Sequence, residues 1–305
     1  MTATATPTRI QVERRFPLVL DEAIAPIREL YETAKRSKWD PTTDVPWDRL
    51  GAAALSAEVR DAARAVWSRR AWIEYTGLSE TPALLIRFCL ELDRESDPKY
   101  FLTVRNTEEA WHLEAFHMAA EKLGGYLPRP ADARWEPVFN QALHRQALDA
   151  DRSLDEYVAV HCAVEDGLEL ELYRAYASNA TDPAIAELLR RVVADKARHA
   201  EFGWRYLEAR CEGLDDAAKA GVGRAVSAWI AQVACSGYHV PYLSTSLDAS
   251  ADAQAARLVA RAGLGAVADE AETRIATDWF AQARRRLAAL GIRPDPVPHP
   301  RLGPL

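Results

Sequence analysis

The chain contains two copies of a short pattern that combines carboxylate and imidazole side chains. The first copy covers residues 108–114 and the second covers residues 195–201. Both copies share an acid, an alanine, a histidine and a glutamate, so His112 corresponds to His199. Glu109 stands three residues before His112, and residues at this spacing are neighbours on one face of a helix. A carboxylate and an imidazole held in this way can chelate a metal ion.

Two further carboxylates have the spacing that a dimetal site in a helical bundle requires. Such a site takes a Glu-x-x-His pair from each of two helices and a single carboxylate from each of the other two. Glu74 lies 35 residues before Glu109, and Glu165 lies 31 residues before position 196. Both intervals suit antiparallel helices, and both glutamates lie among apolar residues, where an unpaired carboxylate is costly. Glu74 and Glu165 are therefore the candidates for the single carboxylates.

A lone Glu-x-x-His pair is a weak signal, because the same helix carries a second match. Glu114 and His117 overlap the first pair and point about 140° away from it. We prefer Glu109 and His112, because only that pair aligns with the second copy. His117 is then interpreted as a histidine of the helix surface or of a substrate pocket.

Some polar residues near the motifs have a role that the sequence leaves open. His161 stands four residues before Glu165 on the same helix face, so it is either a core histidine or part of the active-site lining. Glu169 is expected to point inward in preference to Glu171. The other histidines have no partner pattern and receive no role: His144, His239 and His299.

Helical periodicity dominates the chain, and strand-like alternation is nearly absent. Four long helices with a short one between the second and third predict one all-α bundle, spanning residues 1–305, with an irregular tail at 293–305. The predicted helices are about Leu18–Lys38, a helix from Ser56 that kinks or restarts at Gly77 and Pro82, Tyr100–Leu123, Val138–Leu148, a helix from Ser153 to Ser178, a helix from Pro183 to Arg210, Asp216–Tyr238 and Ala251–Leu290.

Composition excludes several classes of protein. A net charge of -7 without a basic stripe argues against nucleic-acid binding. The 4 cysteines form no C-x-x-C pair, which indicates reduced thiols in a cytoplasmic protein. No apolar run approaches the about 18 residues of a membrane span, and the N-terminus has no signal-peptide core.

The order and spacing of these motifs resemble the ferritin-like di-iron carboxylate superfamily over about residues 60–210. Within it, the chain is similar to the p-aminobenzoate N-oxygenase and ribonucleotide reductase small-subunit branches. The resemblance implies a ferritin-like four-helix bundle with additional N- and C-terminal helices and a metal-binding core at about 56–210. It implies the metal ligands Glu74, Glu109, His112, Glu165 and His199. It also implies that Asp195 lies next to the metal ligands and orients a ligand imidazole. We assign His161 to the same layer of residues around the ligands.

Lys196 departs from the family, which has a metal-binding glutamate at this position. The three candidate glutamates against one lysine leave a charge of about -2, which does not balance two divalent ions. Four interpretations remain open: a neutral amine ligand, a carbamylated lysine, an ammonium that replaces a metal as in some metal-free radical subunits, or a degenerate site.

The resemblance implies a non-haem oxidase or oxygenase with two iron ions, an Fe/Mn pair or, because of Lys196, one metal. Its partners would be O2, a small-molecule substrate and an electron donor that the sequence does not identify; a homodimer is compatible with it. Lys196 is the predicted catalytic residue, either as a proton donor or by making room for a bidentate substrate amine or carboxylate. The rival hypotheses are a metal-free ferritin-like scaffold and, less favoured at this chain length, iron storage.

Overall fold

The structure is a computed structural model that describes residues 20, 23–91, 94–141, 143–149 and 151–305. Almost all of its regular structure is helical, as the sequence predicts. The helices are α1 (Ala25–Arg36), α2 (Ala57–Leu90), α3 (Ser96–Leu123), α4 (Glu136–Phe139), α5 (Leu143–Ala147), α6 (Leu154–Tyr157), a π-helical segment (Val158–Glu165), α7 (Asp166–Asn179), α8 (Pro183–Arg210), α9 (Asp216–Gln232), α10 (Ser250–Arg261) and α11 (Asp269–Ala289). A short antiparallel pair, β1 (Pro298–His299) and β2 (Gly303–Pro304), lies in the tail.

Four long helical units form the centre of the fold: α2, α3, the continuous unit from α6 to α7, and α8. Helix α2 packs against α3, while α7 and the π-helical segment pack against α8. The Ser56 side chain caps α2 by accepting from the Val59 amide, and the Asp182 side chain caps α8 by accepting from the amides of Ala184 and Ile185. These caps satisfy amides that have no partner within the helix. The four-helix, all-α prediction is confirmed.

The π-helical segment lies unusually close to α8. A Cβ atom built on Gly203 would lie 2.1 Å from the carbonyl carbon of Cys162, so only glycine allows this approach. A π-helical stretch widens the turn and is frequent at functional sites. It shifts the directions of His161 and Glu165, which both lie in this segment. The sequence analysis did not predict it.

Several predicted helices differ from the observed ones. Helix α2 does not restart at Gly77 or Pro82, because packing against α3 outweighs the local cost of a missing amide. The helix predicted over Val138–Leu148 is instead α4 and α5, which are separate short helices. The helix predicted to reach Tyr238 ends at Gln232.

The long helix predicted over Ala251–Leu290 is split into α10 and α11. Gly263 and Gly265 lie between them with φ values of +67° and +76°. These are left-handed conformations that favour glycine and end a right-handed helix. The start predicted at Leu18 lies outside the described residues, and α1 begins at Ala25.

The two long C-terminal helices pack against the bundle. Helix α10 packs against α2, and α11 packs against α7. The Trp279 indole of α11 donates to the Val164 carbonyl at 2.8 Å, which ties α11 to the π-helical segment. None of the helices in the described part of the chain is long and apolar enough to cross a membrane.

Candidate metal centre

The four central helical units bring every predicted ligand into the buried interior. Glu74 comes from α2, Glu109 and His112 from α3, Glu165 from the π-helical segment, and His199 from α8. All five side chains are buried. His112 Nδ1 lies 3.4 Å from Glu74 Oε2, and the rings of His112 and His199 lie 5.9 Å apart. Glu74, Glu109 and Glu165 line one small cavity of about 30 Å³.

The two copies of the motif pair with each other across the bundle. Asp195 Oδ2 in the second copy lies 3.1 Å from Nε2 of His112 in the first. Glu108 Oε2 in the first copy lies 2.9 Å from Nε2 of His199 in the second. Arg198 donates to both acids and links the two pairs. The acid that opens each copy therefore orients the histidine of the other copy, a relation that the sequence analysis anticipated for Asp195 only.

Nε2 makes the contact in both pairs, so Nδ1 of each imidazole faces another group. Burial acts to raise the pKa of Asp195, but His112 lowers it, so Asp195 is ionised and accepts from His112 Nε2. Burial raises the pKa of Glu108 to about 7, so Glu108 is ionised in only part of the molecules near neutral pH. His199 Nδ1 and Glu109 Oε2 are buried without a hydrogen-bond partner among the described residues, while His112 Nδ1 has only Glu74 Oε2 at 3.4 Å. Buried polar atoms are normally satisfied, so two unsatisfied atoms on predicted ligands fit a cation.

The two acid–histidine pairs differ in charge. Burial acts to lower the pKa of His112, but Asp195 and Glu74 raise it to about 9. Burial and the neighbouring cations Arg105 and Lys196 lower the pKa of His199 well below its ordinary value. Without metal, His112 is thus protonated and His199 is neutral. A metal ion bound to His112 Nδ1 has to displace a proton.

Lys196 occupies the centre of an ion-paired group. Its Nζ lies 2.7 Å from Glu74 Oε1 and 2.6 Å from Glu169 Oε2, and the side chain is only 3% exposed. Burial acts to lower the pKa of Lys196, but Glu169 and Glu74 raise it well above its ordinary value. Burial acts to raise the pKa of Glu74, but Lys196 and His112 lower it to about 2. Lys196 is therefore an ammonium here, which disfavours the neutral-amine interpretation.

Glu169 brings a further buried carboxylate next to position 196. It lies four residues after Glu165, one helical turn further along α7, and it is buried as expected, whereas Glu171 is partly exposed. Glu80, Arg105 and Asp166 line the same cavity, so the charge of about -2 counted from sequence covers only part of its charged groups. Burial and the neighbouring carboxylates Glu165 and Glu109 raise the pKa of Glu80 well above its ordinary value.

His239 is one of the residues of this site that the sequence analysis missed, together with Glu80, Arg105 and Glu108. Its Nε2 lies 2.7 Å from Glu165 Oε1, and His161 Nδ1 lies 2.5 Å from Glu165 Oε2. Burial acts to raise the pKa of Glu165, but these two histidines lower it to about 2. His239 comes from the loop after α9, far along the chain, and no spacing signal connects it with Glu165.

Arg105 is a buried cation that pairs with carboxylates at the candidate metal centre. Arg105 Nε donates to Glu109 Oε1 at 3.0 Å, and the same guanidinium lies 2.8 Å from Asp166 Oδ2. Thr81 donates to the same Glu109 oxygen at 2.9 Å. Within the described residues, no three His, Cys, Asp or Glu side chains form a ready-made metal site. The donors are paired with Lys196, Arg105 and one another, so metal binding requires some of these pairs to open.

The fold is similar to solved structures of an R2-like ligand-binding oxidase. The form with an aerobically reconstituted Mn/Fe cofactor matches at a TM-score of 0.66 and 18% identity, over 86% of this chain and 92% of that chain. A single-residue variant of that oxidase matches at a TM-score of 0.68 and 18% identity, over 86% and 93%. A scan of family models found no match, and neither did a search of curated proteins. At this level of identity the likeness shows the fold, and the chain has the ferritin-like fold that its doubled motif predicted.

Proposed function

We propose that the protein is a metal-dependent oxidoreductase that uses O2 to oxidise a small organic molecule. The observation that carries this proposal is the reciprocal pairing of Asp195 with His112 and of Glu108 with His199. It fixes the direction of two buried Nδ1 atoms: His199 Nδ1 has no hydrogen-bond partner among the described residues, and His112 Nδ1 faces the predicted ligand Glu74 at 3.4 Å. Orientation of a ligand histidine by a carboxylate is the arrangement that tunes metal sites. The structural neighbours are oxidases with an Mn/Fe cofactor, which supports the same reaction class.

The residues that would hold a metal are Glu74, Glu109, His112 and His199. Iron is the first candidate and an Fe/Mn pair the second; nitrogen and carboxylate donors suit both metals. When bound, the metal would supply O2 activation and electron transfer. Glu165 is held by His161 and His239, so it would complete a second metal position only if these histidines released it.

Lys196 is the proposed proton donor. Its ammonium is buried within 2.7 Å of Glu74, so a proton at Nζ lies directly beside a proposed ligand. General acids act within hydrogen-bond reach of the group that receives the proton. In this role Lys196 would protonate reduced oxygen, while electrons would come from an external donor.

A second candidate function is a metal-free helical scaffold, and one observation favours it. Lys196 lies between Glu74 and Glu169 and supplies one of the two positive charges that a divalent ion would bring. An internal cation of this kind lets the carboxylates remain buried without any metal.

Metal analysis separates the two functions. The full-length protein is expressed in medium with iron and manganese, purified, and measured for metal content and for O2 consumption with a chemical reductant. At least about one metal per chain and reductant-dependent O2 uptake, both lost in His112→Ala, support the oxidoreductase. Less than about 0.1 metal per chain, unchanged in the variant, supports the scaffold.

A further inference from the structure

A second cavity lies directly beside the candidate metal centre. It has a volume of about 70 Å³, and most of its lining is apolar or aromatic. Ile73, Glu169 and His239 line both this cavity and the metal centre. A small molecule in the second cavity therefore reaches the side chains that surround the proposed metal.

Arg70 presents an unused hydrogen-bond donor at this cavity. The side chain is 6% exposed, and its Nη2 donates to the Gly265 carbonyl at 2.6 Å. Its Nη1 is buried without a hydrogen-bond partner in the described part of the chain. The guanidinium carbon lies 4.5 Å from the ring centroid of Trp67 and 4.1 Å from that of Tyr176, which hold the plane of the group in place.

Arg69 presents a second unused donor to the same cavity. Its Nη2 donates to the carbonyls of Gly237 and Tyr238, which fixes the end of the side chain. Its Nε is buried and also lacks a hydrogen-bond partner among the described residues. Two neighbouring arginines thus keep a buried N–H donor each, and unsatisfied buried donors on charged groups are costly.

The acids in the cavity wall do not fully compensate these two cations. Asp252 Oδ1 lies 3.6 Å from Arg69 Nη1, beyond normal hydrogen-bond distance. Glu272 accepts a hydrogen bond from the Tyr176 hydroxyl at 2.6 Å. Burial raises the pKa of both acids, to about 7 for Glu272, so this wall is partly neutral near pH 7. Glu169 is paired with Lys196, which leaves an excess of positive charge at the arginines.

We propose that this cavity binds the carboxylate of a small organic acid, which accepts hydrogen bonds from Arg69 Nε and Arg70 Nη1. Charge-assisted bonds from arginine to a carboxylate are strong and directional. The apolar part of the acid then extends towards Glu169 and His239, where it faces the metal centre. The identification of this acid as the substrate rests on the proposed function. The prediction that the acid binds in this cavity does not.

The test is a binding measurement on the full-length protein after treatment with a chelator. Propionate, propionamide and propylamine have nearly the same size but negative, zero and positive charge, and ligand-observed NMR titration ranks their affinities at pH 7. We expect propionate to bind at least about tenfold more tightly than the other two. Equal binding of propionate and propionamide, or tighter binding of propylamine, overturns the proposal.

Variants locate the binding site. Arg69→Gln and Arg70→Gln are each expected to weaken propionate binding about tenfold or more. Arg64→Gln is the matched control, because Arg64 donates to the Gly125 carbonyl and does not line the cavity. Unchanged propionate affinity in a folded Arg69→Gln protein contradicts the proposed binding site. If Arg70→Gln unfolds, the Arg69→Gln result alone decides whether the site is correct. Because the samples contain no metal, a failed metal analysis leaves this result intact.

Discussion

Lys196 Nζ lies 2.7 Å from Glu74 Oε1 in the buried centre of the bundle, and Glu169 accepts from the same ammonium on its other side. Removing one member of such a group leaves an uncompensated buried charge, which is strongly destabilising. The lysine is therefore part of a balanced polar group in this protein, and its replacement should affect metal binding and stability together.

Lys196→Glu is expected to increase metal binding by about one divalent ion per chain. The variant adds a carboxylate and removes a cation, so Glu74 and Glu169 lose their internal counter-charge and attract a metal ion together with the new carboxylate. Native turnover is expected to fall, because the proposed proton donor is gone. Metal content and O2 consumption of both proteins check this.

Lys196→Met separates charge from ligation, because it removes the cation without adding a donor. We expect this variant to be less stable than the natural protein and to gain less metal than Lys196→Glu. A Lys196→Glu protein without additional metal would remove the dimetal interpretation of this position.

His112→Ala is expected to abolish tight metal binding and Glu165→Ala to remove at most a second metal ion, while His117→Ala keeps the natural stoichiometry. His117 is a suitable control because it lies on the same helix with a 48% exposed side chain and a ring contact to Tyr126. Metal content after dialysis measures the effect. Loss of metal from the His117 variant, with retention in the His112 variant, would show that the wrong Glu-x-x-His pair was chosen.

Asp195→Asn and Glu108→Gln are expected to weaken metal binding by about 10- to 100-fold, because each removes a carboxylate that orients a histidine. The loss should be similar for both, since the two copies of the motif are paired reciprocally. Metal affinity from competition with a chelator measures it. Glu114→Gln is the control, because Glu114 is exposed and lies on the same helix as Glu108. An equal loss of metal affinity in this variant would indicate a general effect of charge.

Glu272→Gln is expected to stabilise the protein at pH 8 and to have little effect at pH 4.5. Burial raises the pKa of Glu272 from 4.5 to about 7. Between these values the folded state holds a proton that the unfolded state has lost, so stability falls as pH rises, by up to about 3 kcal/mol above pH 7. The glutamine cannot ionise, and its oxygen still accepts from Tyr176. Denaturant unfolding at the two pH values measures the difference.

Glu121→Gln serves as the exposed control for this experiment. A stabilisation by Glu272→Gln that is the same at both pH values would contradict the titration as its cause.

Local sequence patterns were sufficient for the helical class, for the four long helical units and for the buried placement of Glu74, His112 and His199. Helical periodicity depends on neighbours three and four residues apart, which the sequence shows directly. The doubled motif likewise shows which face of each helix points inward. These features need no knowledge of how distant parts of the chain meet.

Only the tertiary structure decided which groups neutralise one another. Lys196 pairs with Glu169 of α7, and His239 of a distant loop meets Glu165, which lies in a π-helical segment close to Gly203. Such contacts depend on how far apart two helices lie and on where their side chains point. The spacing of residues within one helix determines neither of these. The sequence therefore determined the chemical groups of this site, and the packing of the bundle decided their charges and partners.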